Sequence, residues 1–189
     1  SDAPMRVVAR AHGAPYTLHE VVLDRLVLQE GKHRKRMFDL AEGDHPVGGQ
    51  LMGSEPETFG AAARELADAG FDVVDINFGC PVKKVLGRCR GGYLLTEPET
   101  ALEIIQRVRD AVQGDVPVSV KMRRGHDDSE EAAGKFFRIL EGAFARGVDA
   151  ITVHPRTVVQ RYDGPSRWAF LADVKRREGD RVILGSGDL

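Results

Sequence analysis

Residues 73–81 read Val-Val-Asp-Ile-Asn-Phe-Gly-Cys-Pro, and this stretch decides the expected fold. The run Val73 to Phe78 is short and mostly apolar, follows the helix-ending Gly70 and stops at Gly79. Such a run predicts a buried strand. Similar runs recur about every thirty residues, and each apart from the last is followed by a helix-like segment. Strands that alternate with helices predict a parallel α/β sheet.

The other elements follow the same alternation. Strands are predicted at 16–18, 47–52, 73–78, 118–122, 150–153 and 181–184, and helices at 55–69, 96–112, 129–146 and 168–177. Thr96 and Ser129 are the predicted starts of two of these helices. An open doubly wound sheet and a closed barrel both fit the pattern. The near-even spacing, and the lack of a Gly-x-Gly-x-x-Gly turn after the first strand, favour the (β/α)8 TIM barrel.

Composition narrows the class of protein. The 189 residues are enough for one well-filled core, and no apolar run approaches the roughly 20 residues that span a bilayer. Two cysteines make no disulfide framework, which fits a reducing cytoplasm, and no signal peptide is visible. The net charge of -2 neither indicates nor excludes nucleic acid. We therefore expect a cytoplasmic protein without a membrane partner or an obligate protein partner.

Polar residues cluster where the predicted strands end, which is where a barrel carries its active site. In chain order they are Glu20, Gln50, Asn77 with Cys80, Lys121 with Arg123, His154 with Arg156, and Ser186-Gly187-Asp188. A single residue such as Lys121 more often marks a solvated strand end. A barrel brings all of these sets to one mouth, so their coincidence predicts one active site.

Cys80 is the most reactive residue type in this set. A thiol at a strand mouth, with Lys83 and Lys84 close behind it, can act as a proton donor, a nucleophile or a metal ligand. A packed, inert thiol is the alternative interpretation. Basic residues also concentrate in the segments after strands: Lys83, Lys84, Arg88, Arg90, Arg123, Arg124, Arg156 and Arg161. They predict a basic rim suited to a phosphate-rich ligand, with ordinary solvated loops as the alternative.

The chain resembles the bacterial type of the tRNA-dihydrouridine synthase family over nearly all of its length. The motifs that carry the resemblance are residues 75–85 (DINFGCPVKKV), 90–95 (RGGYLL), 118–123 (VSVKMR), 151–157 (ITVHPRT) and 183–189 (ILGSGDL). The resemblance implies an eight-stranded barrel that carries flavin mononucleotide (FMN), followed by a helical domain that helps to grip tRNA. Residues 1–189 would supply strands two to seven of the barrel as a partial catalytic domain, without the C-terminal helical domain.

The resemblance also implies a reaction. Enzymes of this family reduce the C5–C6 double bond of a tRNA uridine; reduced FMN delivers hydride to C6, and NADPH or NADH is the electron donor. The motif match makes Cys80 the group that protonates C5. A thiol suits this task because its unperturbed pKa of about 8.5 lies near neutral pH.

The remaining site residues are also assigned by resemblance. Gln50, Lys121 and His154 would lie against the flavin ring, and Ser186, Gly187 and Asp188 would form a turn that helps to hold its phosphate. Asn77, Arg123 and Arg156 would orient the uracil, and Lys83 and Lys84 would contact the tRNA. No metal is implied.

Three alternatives stay open at this point. The nearest is an FMN-dependent barrel oxidoreductase that acts on a small pyrimidine or an enoate. A second, from another class, is an aldolase that uses Lys121 as a Schiff-base nucleophile. A third is a non-catalytic fragment, because an open six-stranded barrel would expose apolar edges and hold flavin poorly.

Overall fold

The computed structural model of the chain describes residues 1–29, 38 and 40–188. Its strands are β1 (Thr17–Leu18), β2 (Val22–Leu23), β3 (Val47–Met52), β4 (Val73–Phe78), β5 (Val118–Arg123), β6 (Ala150–His154) and β7 (Val182–Gly185). Its α-helices are α1 (Ala3–Ala11), α2 (Asp24–Val27), α3 (Pro56–Asp68), α4 (Lys83–Leu86), α5 (Pro98–Val112), α6 (Glu130–Ala145) and α7 (Trp168–Glu178). A 3-10 helix covers Gly91–Thr96.

The strands form one parallel sheet in the order β1-β3-β4-β5-β6-β7, so each pairs with the next one along the chain. β2 also pairs with β3. Since Leu18 lies opposite Gly48 and Val22 lies opposite Leu51, β1 and β2 together behave as one interrupted strand along β3. A sequential order without reversal is that of a barrel and not of a doubly wound sheet. The fold is therefore α/β, an incomplete (β/α)8 TIM barrel, as the sequence predicted.

Apolar faces of the helices cover this sheet. α3 turns Phe59, Ala63 and Leu66 inward, and α5 does the same with Ile105 and Val108. These two helices pack extensively against each other outside β3 and β4. Burial of this kind, one stripe of each helix against strands that are themselves apolar, provides most of the stabilisation of the fold.

Most element predictions are confirmed, but the start of α5 was placed wrongly. Thr96 belongs to the 3-10 helix and its hydroxyl donates to the carbonyl of Tyr93, so it does not cap α5. Pro98 takes the first helical position, where its missing N–H costs nothing. Ser129 does cap α6, because its hydroxyl accepts the N–H of Ala132. The helix-like segment expected after the first strand falls partly on residues that the structure does not describe.

The sheet leaves an apolar edge at β7. Within the described residues β6 is its one neighbour, and the side chains of Val182 and Leu184 are 49% and 45% exposed. In the described part of the chain, no helix has both the length and the apolarity needed to cross a bilayer.

A fully buried ion pair attaches α1 to the loop before β3. Nε of Arg6 donates to Oδ1 of Asp44 at 3.0 Å and Nη2 donates to Oδ2 at 2.6 Å, and both side chains are 0% exposed. A buried charge is tolerated only when it is paired in this way.

Replacement of Asp44 tests how far the fold depends on this pair. Asp44→Ala is expected to lower the free energy of unfolding by about 3–5 kcal/mol, because it leaves a guanidinium charge in the interior without its carboxylate. Urea denaturation followed by circular dichroism measures the change. The control is Asp68→Ala, which removes an exposed partner of Arg64 and is expected to cost less than about 1 kcal/mol. Equal losses in the two variants would contradict the prediction.

Candidate active site at the carboxyl ends of the strands

The sheet register brings the predicted site residues to one edge. Asn77 lies opposite Lys121, and Arg123 lies opposite His154. Cys80 interacts electrostatically with both Lys121 and Arg123, and so does His154, which shows that these four side chains share one region. The thiol therefore lies at the same end of the barrel as the predicted flavin-binding residues.

The turn that carries Cys80 is held on two sides. The side-chain oxygen of Asn77 accepts the backbone N–H groups of Gly79 at 3.0 Å and of Cys80 at 3.1 Å. The carbonyl of Cys80 accepts the N–H of Gly92 at 3.0 Å. Gly91 has φ +57°, and a Cβ at that position would lie 2.8 Å from the Cβ of Cys80. Cys80 is half-buried in this tight setting, unlike the fully buried apolar residues of the adjoining strand.

A line of side-chain hydrogen bonds continues from this turn into the barrel. The amide nitrogen of Asn77 donates to Oε1 of Gln50 at 2.9 Å, and Nε2 of Gln50 donates to Asp75 at 2.6 Å. The hydroxyl of Ser119 donates to the other carboxylate oxygen of Asp75 at 2.5 Å. No role was predicted for Asp75 or Ser119 from the sequence. The available signal was an acidic residue in the middle of a mostly apolar strand.

Burial dominates the electrostatics of this region. Desolvation raises the pKa of Asp75, although the hydrogen bonds from Ser119 and Gln50 and the charge of Lys121 oppose the shift. Desolvation also lowers the pKa of Lys121, against the attraction of Asp75 and Cys80. Asp75 and Lys121 thus share a poorly hydrated setting, where the protonation of each is sensitive to any further charge.

Arg123 connects the Cys80 turn to the loop after β6. Its Nε donates to the carbonyl of Gly79 at 2.9 Å, and its Nη1 donates to the carbonyls of Thr157 at 2.9 Å and Arg161 at 2.6 Å. The guanidinium also lies 5.4 Å from the ring centroid of the exposed Tyr162. A planar group with several donors is suited to bracing two loops at once.

Arg156 holds the turn after β7 in a similar way. Its Nη2 lies 2.6 Å from the carboxylate of Asp188 and donates to the carbonyl of Gly164 at 2.7 Å. Gly187 has φ +95°, and a Cβ there would lie 2.8 Å from Nε2 of His154 and 3.0 Å from Oγ of Ser166. The positive φ favours glycine here, and any larger residue would force the His154 ring and the Ser166 hydroxyl to shift.

These contacts correct the predicted basic rim. Arg123, Arg124 and Arg156 are buried, and their guanidinium groups bind backbone carbonyls and the carboxylates of Asp128 and Asp188. They do not contribute to the exposed basic surface, because buried cations need such partners. The exposed cations of the predicted rim are Lys83, Lys84, Arg88 and Arg161.

The remaining predicted residues are placed as follows. The carboxyl ends of the strands carry Asn77, Cys80, Lys121, His154 and the turn at residues 186–188. Gln50 lies lower, within β3, because it pairs in register with Asp75, two residues before Asn77. Lys83 and Lys84 lie on α4, with exposed side chains. The side chain of Glu20 is 73% exposed. Within the described ranges, no cluster of three or more histidine, cysteine or acidic residues is arranged to hold a metal ion.

The fold and this site define an α/β-barrel protein in which a half-buried thiol, a half-buried lysine and a buried histidine meet at the carboxyl end of the sheet. The sequence model described as Dihydrouridine synthase (Dus) matches residues 1–188, and the chain belongs to this family. A probable tRNA-dihydrouridine synthase of Rickettsia conorii is 33% identical over 100% of this chain and 56% of its own length. A probable tRNA-dihydrouridine synthase of Rhizobium leguminosarum bv. phaseoli is 37% identical over 100% of this chain and 57% of its own length. The chain thus spans about half the length of these curated relatives.

Solved structures support the fold. Histamine dehydrogenase from Rhizobium sp. 4-9 aligns with a TM-score of 0.69 and 14% identity, over 98% of this chain and 37% of that one. Phosphonopyruvate hydrolase in complex with oxalate and Mg²⁺ aligns with a TM-score of 0.60 and 14% identity, over 99% of this chain and 73% of that one. At this identity the likeness concerns the fold alone.

The protonation of His154 gives a prediction from the site's electrostatics. Burial, and then the charges of Arg123, Lys121 and Arg156, lower the pKa of His154 from 6.5 to about 4. At a pH between these two pKa values, His154 is protonated in the unfolded chain but neutral in the folded chain. The free energy of unfolding therefore falls as the pH is lowered from 6.5 to about 4. Urea unfolding at several pH values should therefore show a smaller acid-dependent loss in His154→Gln than in the unmodified protein.

The comparison isolates one histidine. His19, whose pKa is also lowered by burial, contributes the same background to both proteins. An NMR titration of the imidazole provides an independent measurement. Identical pH dependence of stability in the two proteins would show that His154 is not held neutral by its surroundings.

Proposed function

We propose that the protein containing this chain is an FMN-dependent tRNA-dihydrouridine synthase that reduces a tRNA uridine to 5,6-dihydrouridine, with NADPH or NADH as electron donor. The observation that carries the proposal is the position of the Cys80 turn, beside Lys121 and His154 at the barrel mouth, in a chain of the dihydrouridine synthase family. The similarity to probable tRNA-dihydrouridine synthases supports the choice of substrate.

The residues at the mouth fit a flavin nucleotide. Within the described part of the chain, the hydroxyl of Ser186 is buried and has no hydrogen-bond partner, and it adjoins Gly187, where a Cβ would lie 2.8 Å from Nε2 of His154. An unpaired donor beside a bare backbone suits a phosphate group. We assign the phosphate to this turn, in which Arg156 neutralises Asp188.

Gln50, Lys121 and His154 would lie against the flavin ring. The bound flavin would supply the hydride. The charge of Lys121, already poorly hydrated, would favour an anionic group beside it.

Cys80 would hold a proton on Sγ and donate it to C5 of the uracil. Negative charge develops on the pyrimidine as C6 is reduced, and a positioned acid neutralises it. The half-buried state of Cys80 leaves it accessible to a base that enters the mouth. The hydrogen bonds that the N–H groups of Gly79 and Cys80 donate to Asn77 hold the turn that carries the thiol.

Contact of Asn77, Arg123 and Arg156 with the uracil remains a prediction. Each of these side chains already has protein partners, on the Cys80 turn, on the loop after β6 and on the Asp188 turn respectively. Their proposed contribution is therefore to hold the three segments that surround the base. Any direct contact would use the donors that remain free or require these bonds to be exchanged.

The tRNA would be gripped outside the pocket. A uridine inside a folded tRNA must leave its stack to reach Cys80, which requires contacts to the flanking backbone. We assign these contacts to the exposed cations Lys83, Lys84, Arg88 and Arg161. We further propose that residues 1–189 are part of a barrel catalytic domain and that the helical tRNA-binding domain lies in the remainder of the protein, as the coverage of the relatives supports.

The alternatives differ in what they would bind. An FMN-dependent reductase of a small pyrimidine or an enoate would share the flavin site but not the salt-dependent binding of tRNA. The aldolase alternative has one observation in its favour, the half-buried Lys121, whose pKa is lowered by desolvation. Borohydride trapping of a substrate on that lysine would support it.

Replacement of the thiol tests the proposed reaction in the complete protein. Cys80→Ala is expected to retain flavin and tRNA but to form dihydrouridine at least about a hundredfold more slowly, because the proton donor is gone. Mass spectrometry of tRNA from a strain without dihydrouridine measures the product. The control is Cys89→Ala, which removes the exposed second thiol and should stay active. Full activity of Cys80→Ala would remove Cys80 from the mechanism.

A second test concerns the tRNA-binding surface. The double variant Lys83→Ala/Lys84→Ala is expected to bind tRNA more weakly and to reduce the slope of log affinity against log salt by about one per lysine. Filter binding at several salt concentrations measures both quantities. The charge-matched control is Lys175→Ala/Arg176→Ala on the outer helix α7, where binding should not change. The same loss in both double variants would rule out a specific contact at α4.

A further inference from the structure

The hydrogen bonds between Asp75 and the Cys80 turn have a direction. An ionised carboxylate can only accept hydrogen bonds, whereas a side-chain amide has one donor end and one acceptor end. Asp75 therefore faces the Nε2 end of Gln50, which leaves Oε1 of Gln50 to accept from Asn77. The oxygen of Asn77 is then left for the two N–H groups of the turn.

Both ends of this line require the same orientation of the two amides. The backbone N–H groups of Gly79 and Cys80 need an acceptor, and the carboxylate of Asp75 needs donors. If Gln50 were rotated by half a turn, its oxygen would face the carboxylate and its nitrogen would face the nitrogen of Asn77. Such a line would leave donors facing donors in the interior, which is costly.

We propose that Asp75 is a positioning residue whose carboxylate sets the direction of the line through Gln50 and Asn77, and so holds the Cys80 turn in place. Its importance for catalysis rests on the proposed function of Cys80. Asp75 is 2% exposed and lies below the mouth of the barrel, so it acts through Gln50 and Asn77. Ser119, which donates to the second oxygen, and the nearby Lys121 help the interior to retain its charge.

The surroundings of Asp75 support this assignment. A carboxylate in the interior is expensive unless donors and an opposite charge compensate it, and here two side-chain donors and one lysine do so. The phenol of Tyr16 lies in the same region, and burial together with the charges of Asp75 and Asp72 raises its pKa. An apolar residue at position 75 would avoid these costs but would leave the donor end of Gln50 without an acceptor.

The test exchanges the two groups at positions 50 and 75. Gln50→Glu alone sets two carboxyl groups against each other, so the amides of Gly79 and Cys80 are expected to exchange with solvent about tenfold faster. In Gln50→Glu/Asp75→Asn the new amide at position 75 donates to the new carboxylate at position 50, which still accepts from Asn77. This double variant should return both amides to the exchange rates of the unmodified protein.

The measurement is amide hydrogen exchange by NMR on the complete protein without flavin, so it does not depend on turnover. A proton shared between two carboxyl groups would mimic the original donor, and the comparison is therefore made at about pH 9, where such sharing is weakest. Gln50→Leu interrupts the line of hydrogen bonds without adding a titratable group. Asp75→Asn should not restore the protection of the two amides in that background. Asp44→Asn, at the distant buried ion pair, should lower stability without selectively affecting the two amides.

The outcomes are distinct. Unchanged exchange in both Gln50→Glu and Gln50→Leu would overturn the proposal, and so would a failure of Asp75→Asn to restore protection in the Gln50→Glu background. The proposal would be supported if Asp75→Asn restores the protection of the two amides in the Gln50→Glu background but not in the Gln50→Leu background. If the unmodified protein forms no dihydrouridine, the proposed function fails, but the exchange rates still decide whether Asp75 directs the line.

Discussion

The parallel pairing of β3, β4, β5 and β6 in chain order is the constraint on which the site depends. Parallel strands in register end at the same edge, so residues that are distant in sequence meet there without attracting one another. Asn77 meets Lys121, and Arg123 meets His154, because the apolar residues below them are paired. Burial of those apolar residues supplies the free energy that keeps two cations and a histidine close together.

Much of the polar chemistry at this edge holds the backbone. Arg123 spans from the Cys80 turn to the loop after β6, Arg156 binds the turn at Asp188, and Asp75 is linked through Gln50 and Asn77 to the same thiol turn. Three loops that have no regular pairing of their own are thereby fixed against the rigid sheet. A site that must place a thiol accurately against a base benefits from such support.

The outcomes for individual elements show where sequence patterns suffice. The strands were recognised because short apolar runs bounded by turn and polar residues are a local signal. Thr96 was misplaced as an N-cap because Pro98, two residues later, suits the first turn better and the preceding residues form a 3-10 helix. Asp75 went unassigned because its partners Gln50 and Ser119 are 25 and 44 residues away, and no periodicity links them.

By itself the sequence determined the alternation of strands and helices, the barrel class, the family motifs and the position of Cys80 at a strand end. These properties depend on local propensity, on burial periodicity and on the order of residues along the chain. Only the tertiary structure decided which polar groups are engaged. It turned Arg123, Arg124 and Arg156 from expected rim residues into buried braces, because hydrogen-bond partners and desolvation arise from contacts between segments far apart in sequence.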